Sequence, residues 1–249
     1  LLFIGARIYI ESALYFKEEV IRMDFPIKIS PSILSADFGN LAAEALQAEQ
    51  GGGHGLHIDI MDGHYCHNFS FGIGLVPVLK KTLTIPLIAH LEIDNPDVFI
   101  DDFARAGSDM IVVQEDTCPH LPHTIASIRE KGVRAGVGVN PDRGYEKLRA
   151  NPEILKEIDL LIVLAVYPGF GGQPFSPITV PKIREACSLR EEHGARFDIG
   201  VDGCVSAETI PDIVKAGANY LIAGSSVFNG KDIKKNISAL RELAERSLS

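Results

Sequence analysis

Apolar and polar residues alternate along this chain in two rhythms that take turns. Short, largely apolar runs predict strands at Ile27–Ser32, Leu56–Met61, Leu87–Ile93, Met110–Gln114, Arg134–Val139, Leu160–Val166, Phe197–Val201 and Tyr220–Ala223. Between them, amphipathic stretches with a period near 3.6 predict helices at Leu41–Gln50, Leu75–Lys81, Val98–Ala106, Leu121–Lys131, Tyr145–Ala150, Val180–Glu192, Ala207–Ala216 and Ile233–Ser247. Gly107, Gly132, Gly194 and Gly217 follow four of these helices, where a left-handed C-terminal cap is expected. Eight strand–helix units read as a (β/α)8 TIM barrel, and 249 residues suit one such domain. The rival is a doubly wound sheet, but the regular eightfold alternation favours the barrel. No linker or low-complexity tract divides the chain after Met23, so residues 23–249 read as one domain. Residues 1–22 lack a basic leader or a cleavage site, and we read them as an N-terminal extension, with Met23 as the natural start.

Composition narrows the partners. The net charge is −9, with acidic and basic residues mixed, which argues against nucleic acid or an anionic membrane. No apolar run approaches the roughly 20 residues that span a bilayer. Cys66, Cys118, Cys187 and Cys204 are scattered without a Cys-x-x-Cys pair, so reduced thiols in a cytoplasmic protein are expected.

The candidate chemistry lies at strand ends. Barrel active sites are built where strands end and their loops begin. Asp59 lies near the end of one strand and Asp202 at the end of another, each close to glycine; His57 precedes Asp59 by two residues, and His90 closes a third run. His57, Asp59 and Met61 share parity and so point to one side; so do His90 and Glu92, and Gly200 and Asp202. A lone buried histidine is usually a satisfied core group. Two carboxylates and two imidazoles from three strands are better explained as a set able to hold one divalent metal and to move protons on two faces of a substrate.

With these residues in hand, the chain resembles the ribulose-phosphate 3-epimerase family from about Ile27 to Phe228. The resemblance rests on Pro31–Phe38 (PSILSADF), His57–His64 (HIDIMDGH), Ala89–Leu91 (AHL), Pro168–Gln173 (PGFGGQ), Val201–Gly203 (VDG) and Ala223–Ser225 (AGS). It implies a metal-dependent (β/α)8 enzyme that inverts C3 of a ketose phosphate, with ribulose 5-phosphate to xylulose 5-phosphate leading. His57, Asp59, His90 and Asp202 would ligate the metal, with zinc first and iron, manganese or cobalt as alternatives. Asp59 and Asp202 would exchange protons on opposite faces through a metal-stabilised enediolate. Ser32, Met61 and His90 would contact substrate. Gly169, Phe170, Gly171, Gly172, Gly203, Cys204, Gly224 and Ser225 would hold the phosphate end. A homo-oligomer, dimer or hexamer, is also implied.

The chain departs from the family pattern at several positions. Glu92 and Leu164 replace methionines. His64-Tyr65-Cys66-His67-Asn68 stands for His-Phe-Val-Pro-Asn. Gln114 replaces a histidine, Cys204 a glycine, and Tyr167 a residue that is often asparagine or an acid. Glu92 matters most: a carboxyl there would bind a substrate hydroxyl, shift the aspartates or turn away into solvent, and a tolerated rim substitution is the blander expectation. Glu92, Leu164, His67 and Gln114 motivate one alternative, a 3-epimerase of another ketose phosphate (allulose 6-phosphate or a tetrulose phosphate); a catalytically silent sugar-phosphate-binding barrel and a metal-dependent aldolase are the alternatives from other classes.

Overall fold

The computed structural model describes residues 25–248, so the proposed N-terminal extension lies outside the described residues. Eight parallel strands form one sheet in the order β1-β8-β7-β6-β5-β4-β3-β2. They are β1 (Lys28–Pro31), β2 (Leu56–Met61), β3 (Leu87–Glu92), β4 (Met110–Gln114), β5 (Arg134–Val139), β6 (Leu160–Leu164), β7 (Asp198–Asp202) and β8 (Tyr220–Ala223). Helices α1 (Leu41–Gln50), α2 (Leu75–Lys80), α3 (Ile100–Ala106), α4 (Leu121–Glu130), α5 (Glu146–Ala150), α6 (Thr179–Glu192), α7 (Ile210–Lys215) and α8 (Ile233–Arg246) follow the strands in turn. The seam between β1 and β2 closes through a parallel bridge, Ser32 to His57. Around it, His54 N–H donates to Ile29 O at 2.8 Å and Ser30 Oγ donates to Gly55 O at 3.0 Å. The architecture is the TIM barrel expected from the alternation.

Strand parity divides the core into two apolar bodies. Outward positions such as Ile58, Leu91, Ile111, Val137, Leu161, Val201 and Leu221 pack against the helices. Inward positions Ile88, Met110, Val112, Leu160, Ile162, Leu164, Tyr220 and Ile222 fill the barrel. A buried parallel strand has both faces covered, which is why these runs read as nearly continuous hydrophobics. Gly138 makes room among the inward residues: a Cβ there would lie 2.9–3.0 Å from the Gln114 amide and 3.0 Å from His90 Nε2.

Element boundaries differ from the periodicity at a few places, each with a local cause. α3 begins at Ile100 rather than Val98, because Asn95 adopts φ 51° and Pro96–Val98 form a separate 3-10 turn. α7 begins at Ile210 rather than Ala207, because Ser206 N–H donates to Thr209 Oγ1 at 3.0 Å and holds that stretch as a turn. β7 runs to Asp202, one residue beyond the expected end, paired in register with Leu164. The four helix-terminal glycines all take positive φ, from 57° to 110°.

Candidate active site at the C-terminal mouth of the barrel

The register of β2 on β3 sets Asp59 beside His90 and Met61 beside Glu92. Asp202, at the end of β7, reaches the same point from across the barrel. His57 Nε2 lies 3.0 Å from Asp59 Oδ1 and 3.4 Å from Asp202 Oδ2. His90 Nδ1 lies 3.5 Å from Asp59 Oδ1 and 3.6 Å from Asp202 Oδ2. The two imidazole nitrogens face each other at 3.1 Å. One donor atom from each of the four residues lies within 4.8 Å of all the others.

These groups hold one another's charges. Burial by itself would raise both carboxyls, but the His57 and His90 imidazoles outweigh it and keep Asp59 and Asp202 below the usual carboxylate range. Burial by itself would lower the imidazoles, but Asp59 and Asp202 overcome it, so His57 is raised to about 10 and His90 to about 9. Ser32 Oγ donates to Asp59 Oδ2 at 2.7 Å and fixes that carboxylate from the β1 side.

The four donors fit a divalent cation. Metal bonds of about 2.0–2.2 Å to nitrogen and oxygen place tetrahedral donors about 3.3–3.6 Å apart; the separations that involve an imidazole run from 3.0 to 3.6 Å, and all four donor atoms lie within 4.8 Å of one another. Two imidazoles and two carboxylates are also a suitable donor set for zinc and its neighbours. Behind His90, the Gln114 amide lies 2.9 Å from Nε2, with its Oε1 unpartnered.

A cavity of about 780 Å³, counting its open mouth, lies over this cluster. It is lined by Ser32, Asp59, Met61, Asp202, Gly169, Phe170, Gly171, Gly172, Gly203, Cys204, Gly224 and Ser225, which the sequence had singled out. The two histidines sit beneath it, with exposures of 0%. Leu34, Ser35, Val166, Val205 and Ile222 also line it and were not anticipated. Strand parity gives the signal for Ile222 and, on the expected strand Leu160–Val166, for Val166; Leu34 and Ser35 lie in the Pro31–Phe38 segment, and Val205 carries no signal. Among the described residues no lysine or arginine lines the cavity, so a phosphate there would be met by backbone amides and hydroxyls.

The loop after β6 closes one side of this mouth and is held from three directions. Asn68 Nδ2 donates to Gly169 O at 2.6 Å. Gln173 Nε2 donates to Tyr167 O and Phe170 O at 2.7 and 2.8 Å. Cys204 Sγ donates to Gln173 O at 2.8 Å. Cys204 itself takes φ 53°, the left-handed backbone that favours glycine. Beside it, Gly203 has φ 93°, and a Cβ there would lie 2.6 Å from Val166 Cγ2.

One expectation about a departing residue needs correction. Glu92 is neither on the rim nor turned to solvent: it is 3% exposed and lines the cavity. The inward parity it shares with His90 carries it into the barrel. Burial pushes it up to about 8, with His90 working against that and Asp59 and Asp202 with it. His67 is exposed and is not among the cavity residues, whereas Tyr167 is.

Comparison with known proteins agrees with this geometry. The pattern of the ribulose-phosphate 3 epimerase family matches residues 28–228. The ribulose-phosphate 3-epimerase of Bacillus subtilis is 43% identical over 216 residues, covering 86% of this chain and 98% of that protein. That of Methanocaldococcus jannaschii is 39% identical over 223 residues, covering 90% and 93%. Among solved structures, the KGPDC of Streptococcus mutans superposes with a TM-score of 0.68 at 14% identity, covering 91% of this chain and 100% of that one. At that identity the likeness speaks for the barrel fold alone. The sequence relatives and the matched pattern go further: the chain belongs to the ribulose-phosphate 3-epimerase family, isomerases of phosphorylated sugars.

Proposed function

We propose that the protein interconverts D-ribulose 5-phosphate and D-xylulose 5-phosphate by metal-dependent proton transfer at C3. The observation that carries this reading is the meeting of His57, Asp59, His90 and Asp202 at one buried point beneath a cavity. A divalent ion held by these four, zinc foremost and iron, manganese or cobalt otherwise, would supply positive charge next to the ketone oxygen and acidify the C3 proton.

The chain's own residues do the rest. With an ion bound and the imidazoles neutral, the pair would share one proton: a charged Asp59 takes the C3 proton while a protonated Asp202 delivers its own to the opposite face, leaving Asp59 protonated and Asp202 charged; in the other direction the roles exchange. Ser32 holds Asp59 in place through its 2.7 Å hydrogen bond. With its Nδ1 lone pair turned to the cluster, His90 presents Nε2–H to Gln114, whose amide oxygen accepts it once the terminal amide turns over. The amides of Gly169–Gly172, Gly203, Cys204, Gly224 and Ser225 receive the phosphate. Phe170 and the braced loop after β6 shield the reacting carbons from water.

Among the described residues no helix is long and apolar enough to cross a membrane. A cytoplasmic homo-oligomer, dimer or hexamer, follows from the family resemblance and completes the reading.

The test is an NMR assay with D-ribulose 5-phosphate in D2O, using metal-loaded and chelator-stripped protein. Xylulose 5-phosphate carrying deuterium at C3, formed only by the loaded protein, is the expected result. Turnover of allulose 6-phosphate or a tetrulose phosphate in preference to ribulose 5-phosphate would replace the substrate and leave the chemistry. Absence of C3 exchange with every ketose phosphate would overturn the reading.

A further inference from the structure

Glu92 lines the cavity but stands outside the four-residue donor cluster. Its Oε1 is 4.0 Å from His90 Nδ1, beyond hydrogen bonding, and its Oε2 is buried with no partner. Its partner in register is Met61, and Leu164 shares the cavity wall. A carboxyl enclosed in this way is costly unless something completes its hydrogen bonds. Among the described residues no lysine or arginine lines the cavity, and the His90 imidazole stands too far off to hydrogen-bond Glu92. The occupant of the cavity must supply the missing hydrogen bond.

The barrel fixes which part of the occupant that is. In the ring of eight strands, β3 stands four places from β7, on the opposite wall. Gly203 follows β7, and Gly224 and Ser225 follow β8. A ketose phosphate with its phosphate at those loops and its C3 between Asp59 and Asp202 extends its remaining end, the C1 hydroxymethyl group, toward β3. We propose that Glu92 is a specificity-determining residue that hydrogen-bonds the C1 hydroxyl of the bound ketose phosphate. This rests on the ketose-phosphate reading above. Met61, beside Glu92 on β2, is apolar and offers that hydroxyl no hydrogen-bond partner.

The test uses probes that cannot react because they lack a ketone: xylitol 5-phosphate and its 1-deoxy analogue. Their binding to the zinc-loaded protein is measured by calorimetry, for wild type, Glu92→Gln and Glu92→Met. Wild type is expected to bind xylitol 5-phosphate about 10–100-fold tighter than the 1-deoxy analogue, the range for an unmade buried hydrogen bond. Glu92→Gln, which keeps a hydrogen-bonding group, should retain most of that preference. Glu92→Met should bind both probes within about threefold of each other while holding one zinc per chain and an unchanged circular dichroism spectrum. Equal binding of the two probes by wild type, or a preference that survives in Glu92→Met, would overturn the proposal. So would loss of zinc from both variants, which would make Glu92 a ligand of the ion. If neither probe binds wild type, the ketose-phosphate reading falls and this inference with it; binding without discrimination removes this inference alone.

Discussion

Both ends of the barrel interior carry charge, and they treat it in opposite ways. At the N-terminal end, Lys28 Nζ donates to Asp198 Oδ2 at 2.6 Å, and Asn219 Nδ2 donates to Asp198 Oδ1 at 2.7 Å. Asn219 Oδ1 in turn accepts from Ile199 N–H at 2.9 Å. Each of these polar groups finds its partner within the protein. At the C-terminal end, His57 Nδ1, Glu92 Oε2 and Gln114 Oε1 are buried without partners, and two imidazole nitrogens face each other across 3.1 Å. The first cluster is complete as it stands and ties β1 to β7. The second is incomplete, and the groups it lacks are those a cation and a polyhydroxylated substrate carry. Charge inside the barrel therefore does not by itself mark function, and neither does a single unpartnered atom, since Ser108, Asn140, Thr179 and Arg241 carry one elsewhere; the concentration of such atoms around facing imidazoles and carboxylates is what sets this end apart.

The largest effect that would break this comparison is on activity. Asp59→Asn and Asp202→Asn should each lower kcat by about 10²–10⁴-fold or more, since each removes a proton carrier and a charged ligand together. Metal content must be measured alongside, and near wild-type turnover by a metal-loaded variant would remove that aspartate from its role. Next in size is Gln114→Leu. It deprives His90 of its outer partner, so metal affinity should fall about 10–100-fold, the usual scale for such support; unchanged affinity in a competition titration would make Gln114 mere filling. The smallest effect belongs to the other end. Lys28→Met leaves Asp198 without its cation, so thermal or denaturant unfolding should show a loss of about 1–3 kcal/mol, with kcat and metal content unchanged. A drop in kcat at equal metal content would show that the two ends are coupled.

Much of this was legible in the chain. The alternation of runs predicts the barrel because only strand–helix repeats of this length cover both faces of a parallel sheet. Parity placed His57, Asp59, Met61, His90 and Glu92 on inward faces, since a strand has no other choice once its outer face meets helices. Other features depend on partners distant in sequence. That Glu92 is enclosed rather than on the rim follows from its pairing with Met61 and from the wall opposite. The contact of Gln114 with His90 needs both the β3–β4 register and the absence of a side chain at Gly138. The left-handed backbone at Cys204 was also hidden, because the residue type argues against it. The start of α7 was masked by Thr209 and Ser206 bonding locally in place of a helical turn.

The His57, Asp59, His90 and Asp202 cluster could hold a cation, and its protons report on this most directly. His57 and His90 are both raised above the ordinary imidazole value, and their facing nitrogens at 3.1 Å hold at least one proton at pH 7.5 that metal ligands must give up. Zinc added to chelator-stripped protein, followed by calorimetry in buffers of different ionisation enthalpy, should show one ion bound per chain with at least one proton released at pH 7.5. The release should shrink as the pH rises through 9 to 10, where the free protein loses those protons unaided. Binding without proton release, or no binding at the cluster, would contradict the account.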